Sequence, residues 1–298
     1  MLRLMTAPPG PPSPPASPLK APRPRKARSP SLPVVVVLFV LGVAVAGDAS
    51  LLEPDWLEVT HHHYRLPARS GMPGPANAPS RPLKIAHLSD LHTYGLGRRE
   101  RRLLALLDEE KPDLIVVTGD TLARRGTYEM CGELLSRLHA PLGVWVVRGN
   151  WENWRPVKGE RAFYASAGVN FLLNEARPVR QGVWLVGLDD LSSGVPNLEA
   201  ALKGVPADAF TIALFHSPAY FDQVASHCPL ALAGHTHGGQ VRIPLVPPLW
   251  LPRGSGRYLA GWYWHGAAQM YVSRGIGTSI LPIRFLCRPE LAIITLEK

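Results

Sequence analysis

Four short motifs bearing histidine and aspartate, each set directly after an apolar run, constrain this chain more than any other feature. They are Ser89-Asp90-Leu91-His92, Gly119-Asp120, Gly149-Asn150 and Gly234-His235-Thr236-His237. A single His216 follows a fifth apolar run, Thr211 to Phe215. Short apolar runs closed by turn residues read as buried strands. The seven oxygen and nitrogen donors of these motifs then sit on loops at strand exits. Asp, Asn and His gathered at one sheet edge suit two metal ions held close together. Two such ions would activate a water and stabilise in-line attack on phosphorus. The chain is therefore expected to hydrolyse phosphate esters.

The rest of this region alternates between strand and helix patterns. Leu83 to Leu88, Asp113 to Val117 and Gly143 to Val147 read as strands. Arg98 to Glu110, with Leu103, Leu104, Leu106 and Leu107 on its apolar side, and Tyr128 to Leu138 read as helices. Further apolar runs fall at Val183 to Leu188, Leu230 to Ala233, Gln269 to Val272 and Leu291 to Leu296. Strands alternating with helices predict βαβ units, and the strand-rich later part predicts a mixed sheet. Ligand sites of α/β sheets lie beyond the carboxyl ends of strands, where these motifs fall.

The order D-x-H, G-D, G-N, H, G-H-x-H resembles the calcineurin-like metallophosphoesterase superfamily, from about Lys84 onward. Gly234-His235-Thr236-His237-Gly238-Gly239-Gln240, with Tyr271-Val272-Ser273-Arg274-Gly275-Ile276-Gly277-Thr278, is similar to its membrane-associated YkuE-like branch. That branch is grouped with hydrolases of UDP-2,3-diacylglucosamine, a lipid A precursor. The resemblance implies an α/β fold, a four-layer α/β/β/α sandwich of two mixed sheets flanked by helices. It implies two divalent ions, Mn, Fe or Zn, since imidazoles favour transition metals over Mg. It makes Asp120 the bridging carboxylate. It assigns Asp90, His92 and His237 to one metal, and Asn150, His216 and His235 to the other.

One position departs from the family pattern. The third motif usually reads Gly-Asn-His-Asp or Gly-Asn-His-Glu; here it is Gly149-Asn150-Trp151-Glu152. The missing histidine is the one that the resemblance makes the leaving-group acid or phosphoryl stabiliser. An indole N–H donates a hydrogen bond but gives up no proton at neutral pH. Asp120, Asn150 and Glu152 are the candidate catalytic residues, with Glu152 or a metal-bound water left to supply the proton.

Other polar clusters have plainer readings. His61-His62-His63 lies outside the motif set and reads as a solvated surface run. Asp189 and Asp190 read as solvated loop carboxylates or as a border of the pocket. The prolines of the apolar stretch Ile243 to Pro252 exclude a regular helix, leaving a packed loop or a lipid-facing lip. Trp262-Tyr263-Trp264 extends that stretch. The Arg98-Arg99 and Arg101-Arg102 pairs read as a solvated helix face or a phosphate or headgroup contact. Cys131, Cys228 and Cys287 lack ligand-pair spacing and give no disulfide framework.

The net charge of +9 is concentrated at the start of the chain. Residues 1–31 hold six basic side chains and no acid, in a Pro- and Ser-rich stretch expected to be disordered. The remainder carries 26 basic and 23 acidic residues, which does not indicate a nucleic-acid groove. Leu32 to Gly47 is uncharged and extends over weakly polar residues to about 52, so 32–52 reads as a transmembrane signal anchor. A signal peptide cleaved after Ala44-Val45-Ala46 is the alternative, and would give a secreted enzyme. Residues 53–82 read as a connector, whose Glu53 to Val59 could start the domain as an edge strand. Residues 83–298 read as the metallophosphoesterase domain.

The resulting expectation is a single-pass membrane enzyme with its catalytic domain outside the cytoplasm. Its partner is a phosphate mono- or diester, with a lipid-linked or nucleotide-sugar-lipid compound such as UDP-2,3-diacylglucosamine as one option. The rival reading is a membrane-tethered metal-binding scaffold without turnover, because Trp151 replaces the acid.

Overall fold

Strands that bury both faces carry the two central sheets, and their apolar residues sort by parity. The computed structural model describes Gly10, residues 32–66 and residues 81–297. The expected disorder of 1–31, Gly10 apart, and residues 67–80 of the expected connector fall outside those residues. The chain divides into two units, Met1–Gly42 and Val43–Lys298.

Helix α1, Leu32–Gly47, is exposed from Leu32 to Ala46. Helical turns continue it to Asp55, giving 24 residues long and apolar enough to cross a membrane. In the second unit come β1 (Glu58–Arg65), β2 (Leu83–Leu88), α2 (Arg98–Glu110), β3 (Leu114–Thr118), α3 (Tyr128–Leu135), β4 (Val144–Val147), α4 (Asn150–Trp154) and α5 (Glu160–Ser166). Then follow β5 (Asn170–Phe171), β6 (Glu175–Arg180), β7 (Val183–Gly187), α6 (Leu198–Leu202), β8 (Phe210–Leu214), α7 (Phe221–Val224) and β9 (Leu230–Ala233). The described residues end with β10 (Gly261–His265), β11 (Ala268–Val272) and β12 (Glu290–Glu297).

Two six-stranded sheets result, ordered β1-β12-β2-β3-β4-β5 and β10-β11-β9-β8-β7-β6. The inner strands β2 to β5 and β7 to β9 run parallel, with β11 parallel to β9. Antiparallel neighbours β12, β6 and β10 make both sheets mixed. Ile85, Leu114 and Val116 of one sheet pack with Ile212, Leu214 and Leu232 of the other. The alternate residues Ala86, Leu88, Ile115 and Val117 face α2 and α3 through Leu103, Leu106 and Leu134. Likewise Ala213, Ala231 and Ala233 pack with Ala201 of α6 and Phe221 and Val224 of α7. The layers are thus helix, sheet, sheet, helix, as expected.

The structure extends the domain toward its N-terminal side. Glu53–Asp55 is a helical turn rather than strand, and β1 pairs with β12 in parallel over eight residues. Residues 58–65 therefore belong to the sheet and not to a connector. His61 and His63 point outward from this edge strand, while His62 packs 4.4 Å from the Tyr271 ring. All three cysteines are buried and free.

Candidate metal centre

The donors converge because the exits of β2, β3 and β4 in one sheet meet those of β8 and β9 in the other. Main-chain bonds tie these loops together: Asp90 N–H donates to Gly119 O at 3.0 Å and His92 N–H to Asp120 O at 3.0 Å. Gly234 N–H donates to His216 O at 3.1 Å, and Ile276 N–H to Ser89 O at 3.0 Å. The turns are tight. Asp90, His92, Asp120, His235 and His237 all have left-handed φ, between 39° and 72°. Non-glycine residues in this region store strain, and such strain clusters at functional sites. A Cβ on Gly149 would collide with the Asp120 carboxylate, and one on Gly234 with Ser89 and Asp90.

Two buried groups form. Asp90, His92 and His237 make one; Asp120, His216 and His235 make the other, with donor atoms in each within 4.8 Å of one another. Asn150 lies in the same cavity, lined also by Asp120, His235 and His237, and its buried Oδ1 has no hydrogen-bond partner. All seven expected donors thus share one site. Asp120 stands between the groups: its Oδ2 lies 3.2 Å from His216 Nε2 and 3.6 Å from His92 Nε2. Its Oδ1 accepts from Trp151 N–H at 2.9 Å.

The imidazoles are oriented from behind. Main-chain carbonyls of Leu122 and Thr118 accept from Nδ1 of His92 and His216, at 3.1 and 2.7 Å. That of Arg253 accepts from Nε2 of His235 at 2.8 Å. Each carbonyl fixes a proton on the outer nitrogen and turns a lone pair inward, the usual support of a metal-binding histidine. His92 Nε2 and His237 Nε2 then face each other at 3.2 Å, with Asp90 Oδ1 also 3.2 Å from His237 Nε2. Lone pairs at such spacing repel one another unless they share a cation. Ligand atoms at ~2.0–2.2 Å around a tetrahedral metal would sit about 3.3 Å apart, so a divalent cation fits.

The electrostatics agree. Burial opposes charge on Asp90, yet His237, His216 and His92 with the Ser89 hydroxyl hold its carboxyl well below the ordinary range. Burial likewise opposes a cationic His216, but Asp120 and Asp90 push its pKa well up. The field that draws a proton there also draws a metal cation. Burial lowers the pKa of His235 and His237, which favours the neutral, metal-binding form.

Glu152 does not fit the acid role expected of it. Its carboxylate accepts from the main-chain N–H groups of Gly149, Asp120 and Leu122 at 2.8, 2.9 and 3.0 Å, and from the Thr121 hydroxyl at 2.9 Å. These four donors occupy its lone pairs and make it a brace for the Asp120 loop. Asp189 and Asp190 are likewise buried rather than solvated. Asp190 accepts from Ser192, Ser193 and Ser217, and Asp189 from Asn153, Asp190 N–H and Val195 N–H.

The cavity over the site has a volume of about 410 Å³. Trp151, Trp154, Trp250, Arg253 and Ile280 complete its wall. Trp151 stands edge-on to His92, ring centroids 5.6 Å apart. Sequence reasoning missed Arg284, which is fully buried and donates to the carbonyls of Arg274, Gly275, Gly277 and Cys287. It holds the Gly275–Gly277 turn against Asp90, and burial brings its pKa down to about 10. A lone arginine within Leu281-Pro282-Ile283-Arg284-Phe285 was the available signal.

Comparison with known proteins agrees with this geometry. Residues 83–239 match the family described as Calcineurin-like phosphoesterase. The chain is 32% identical to the uncharacterized metallophosphoesterase YkuE of Bacillus subtilis, over 84% of this chain and 89% of that protein. It is 31% identical to the phosphodiesterase YaeI of Escherichia coli, over 82% of this chain and 90% of that one. A transmembrane protein with metallophosphoesterase domain from Danio rerio is 29% identical over 72% of this chain and 53% of its own length. Enzymes of this family use two divalent metals, and the two buried donor groups correspond in number. The chain belongs to the calcineurin-like metallophosphoesterases, in the YkuE-like branch, and is a hydrolase of phosphate esters.

Proposed function

We propose that this chain is a membrane-anchored, two-metal phosphodiesterase acting on lipid-linked phosphoesters, including nucleotide-sugar lipids. The meeting of two donor groups at Asp120 carries the catalytic part. Asp90, His92 and His237 would hold one cation and Asn150, His216 and His235 the other, with the Asp120 carboxylate placed between the two groups to serve both. Bound there, the pair of cations supplies Lewis acidity and makes water a nucleophile near neutral pH. The protein keeps both in register through the Leu122, Thr118 and Arg253 carbonyls and the Glu152 brace. Arg253, exposed at the cavity wall, is placed to offset charge on a phosphoryl group. The diester preference is drawn from the activity named for YaeI, and the membrane from the apolar helix.

The test is hydrolysis of bis(4-nitrophenyl) phosphate against 4-nitrophenyl phosphate by chelator-stripped protein, with Mn, Zn or Fe restored. Metal-dependent turnover favouring the diester is expected. Turnover that survives chelation would sink the two-metal reading. Binding of two metals per chain without turnover of either ester would favour the scaffold reading, for which Trp151 at the cavity wall is the supporting observation.

A further inference from the structure

A second cavity, of about 300 Å³, opens beside the metal site and shares His237, Trp250, Ser279 and Ile280 with it. Its walls are mainly Val241, Leu249, Trp250, Ile280, Leu281 and Ile283. Two of its polar side chains, Gln240 and Thr236, are already engaged. Gln240 donates to Leu281 O at 3.0 Å and accepts from Ser279 N–H at 2.8 Å. Thr236 donates to Leu259 O and accepts from Gly238 N–H. Besides His237, shared with the metal site, the lining holds no charged or ionisable side chain, so this space favours hydrocarbon.

Its mouth is apolar too. The lining residues Leu249, Trp250, Ile280 and Leu281 are exposed, as are Ile243, Leu245 and Val246 between Val241 and Leu249 in the chain. A contiguous exposed apolar surface marks a lipid or apolar-ligand contact. The residues that follow the lining residue Ile283 are tied to the segment that continues from the apolar helix. Arg284 N–H donates to Ala49 O at 2.8 Å, and Leu286 and Cys287 N–H groups donate to the Glu53 carboxylate. The Ile283 side of the cavity thus adjoins Ala49 and Glu53, at the end of the segment that is long and apolar enough for a bilayer.

We propose that this cavity receives an alkyl or acyl chain of the substrate, drawn from the bilayer while its phosphate sits at the metal site. The proposal rests on the phosphodiesterase reading above and names the part of the substrate that the protein recognises. The phosphate end is held by charge, and the chain passes between His237, Trp250 and Ile280 into the apolar space. Burying a few methylenes there is enough to tighten binding about tenfold or more.

The test uses the full chain in lipid nanodiscs and two diesters with one leaving group, methyl and octyl 4-nitrophenyl phosphate. The octyl ester should show a KM about tenfold lower, with similar kcat. Leu249→Ser and Leu281→Ser change exposed residues outside the metal site. Each should raise the octyl KM severalfold and leave the methyl ester unchanged; partition into the disc is common to all proteins and cancels. Equal KM values in the unaltered protein, or an octyl preference that neither variant moves, would overturn the proposal. Calorimetric binding of octylphosphonate against methylphosphonate separates it from the catalytic reading. Tighter octyl binding that both substitutions abolish would uphold the cavity even if neither diester were hydrolysed. Equal binding of the two phosphonates would overturn it even in an active enzyme.

Discussion

Asp120 does three things at once. It stands between the two donor groups, accepts from Trp151 N–H, and holds a left-handed φ of 53°. Asp120→Asn keeps the shape but halves the anionic oxygens available to two cations. Activity should fall at least about a hundredfold and one metal per chain should be lost, read by elemental analysis of the purified variant. Retention of both metals with full turnover would refute the bridging role. Trp151 poses the opposite question, since it stands against His92 at the position where the family resemblance leads one to expect the histidine acid. Glu152 is committed to four donors and is not expected to replace that acid. Poor alkyl leaving groups should therefore react disproportionately slowly compared with nitrophenolate. Trp151→His should raise the alkyl rate more than the aryl rate, within the ~10²–10⁴-fold that general acids supply. The comparison is made at saturating metal; equal effects on both substrates would show that position 151 is not where the acid acts.

At the level of elements, Glu290 at the start of β12 joins the two sheets behind the site. It accepts from Thr60 of β1 at 2.8 Å, from the Tyr271 hydroxyl of β11 at 2.7 Å and from Arg274 N–H at 2.9 Å. Burial works against its charge, but Arg274, with the Tyr271 and Thr60 hydroxyls, outweighs it and lowers the pKa from 4.5. A depressed carboxylate stabilises fully above its unfolded pKa and loses that contribution as pH falls through the folded value. Glu290→Gln should cost about 1–2 kcal/mol at neutral pH, since an amide replaces the charged acceptor of two hydroxyls and a main-chain N–H, while the partly exposed Arg274 keeps its pair with Glu58. The gap in urea midpoint between the two proteins should narrow as pH falls below 4.5; a gap constant with pH would exclude the ionic role. The elements legible in the sequence were the strands buried on both faces and the two amphipathic helices α2 and α3. β2, β3 and β9 are short apolar runs, and the motifs at their exits marked the site. What escaped was set by partners remote in sequence. β6 carries Glu175, Arg177, Pro178 and Arg180 and holds its place as an antiparallel edge strand. β1 hid in a histidine tract until β12 paired with it. The short helices α4 to α7 have too few turns to show a period. Glu152 had the right type and position for an acid, but only the fold shows which way its carboxylate turns.

For the whole molecule, the apolar helix carries the proposed membrane location. With basic residues before it in sequence, positive charge should stay in the cytoplasm and the domain should lie across the membrane. A reporter fused after residue 298 should then be active only in its extracytoplasmic form, and the protein should resist alkaline extraction. A reporter active only in the cytoplasm would reverse the orientation, and a mature N-terminus at Gly47 would make the protein secreted. One feature of the first sheet bears on how such a molecule is made. β12 lies between β1 and β2, and its partners in β1 are more than two hundred residues earlier in the chain. Until β12 has been synthesised, β1 has no neighbour and the strand leading to Asp90 has one bare edge. Contacts so distant close slowly and leave an adhesive edge exposed in the meantime. The sheet that carries Asp90 and Asp120 is therefore expected to close only when β12 becomes available, so that the ligand loops would settle late in folding.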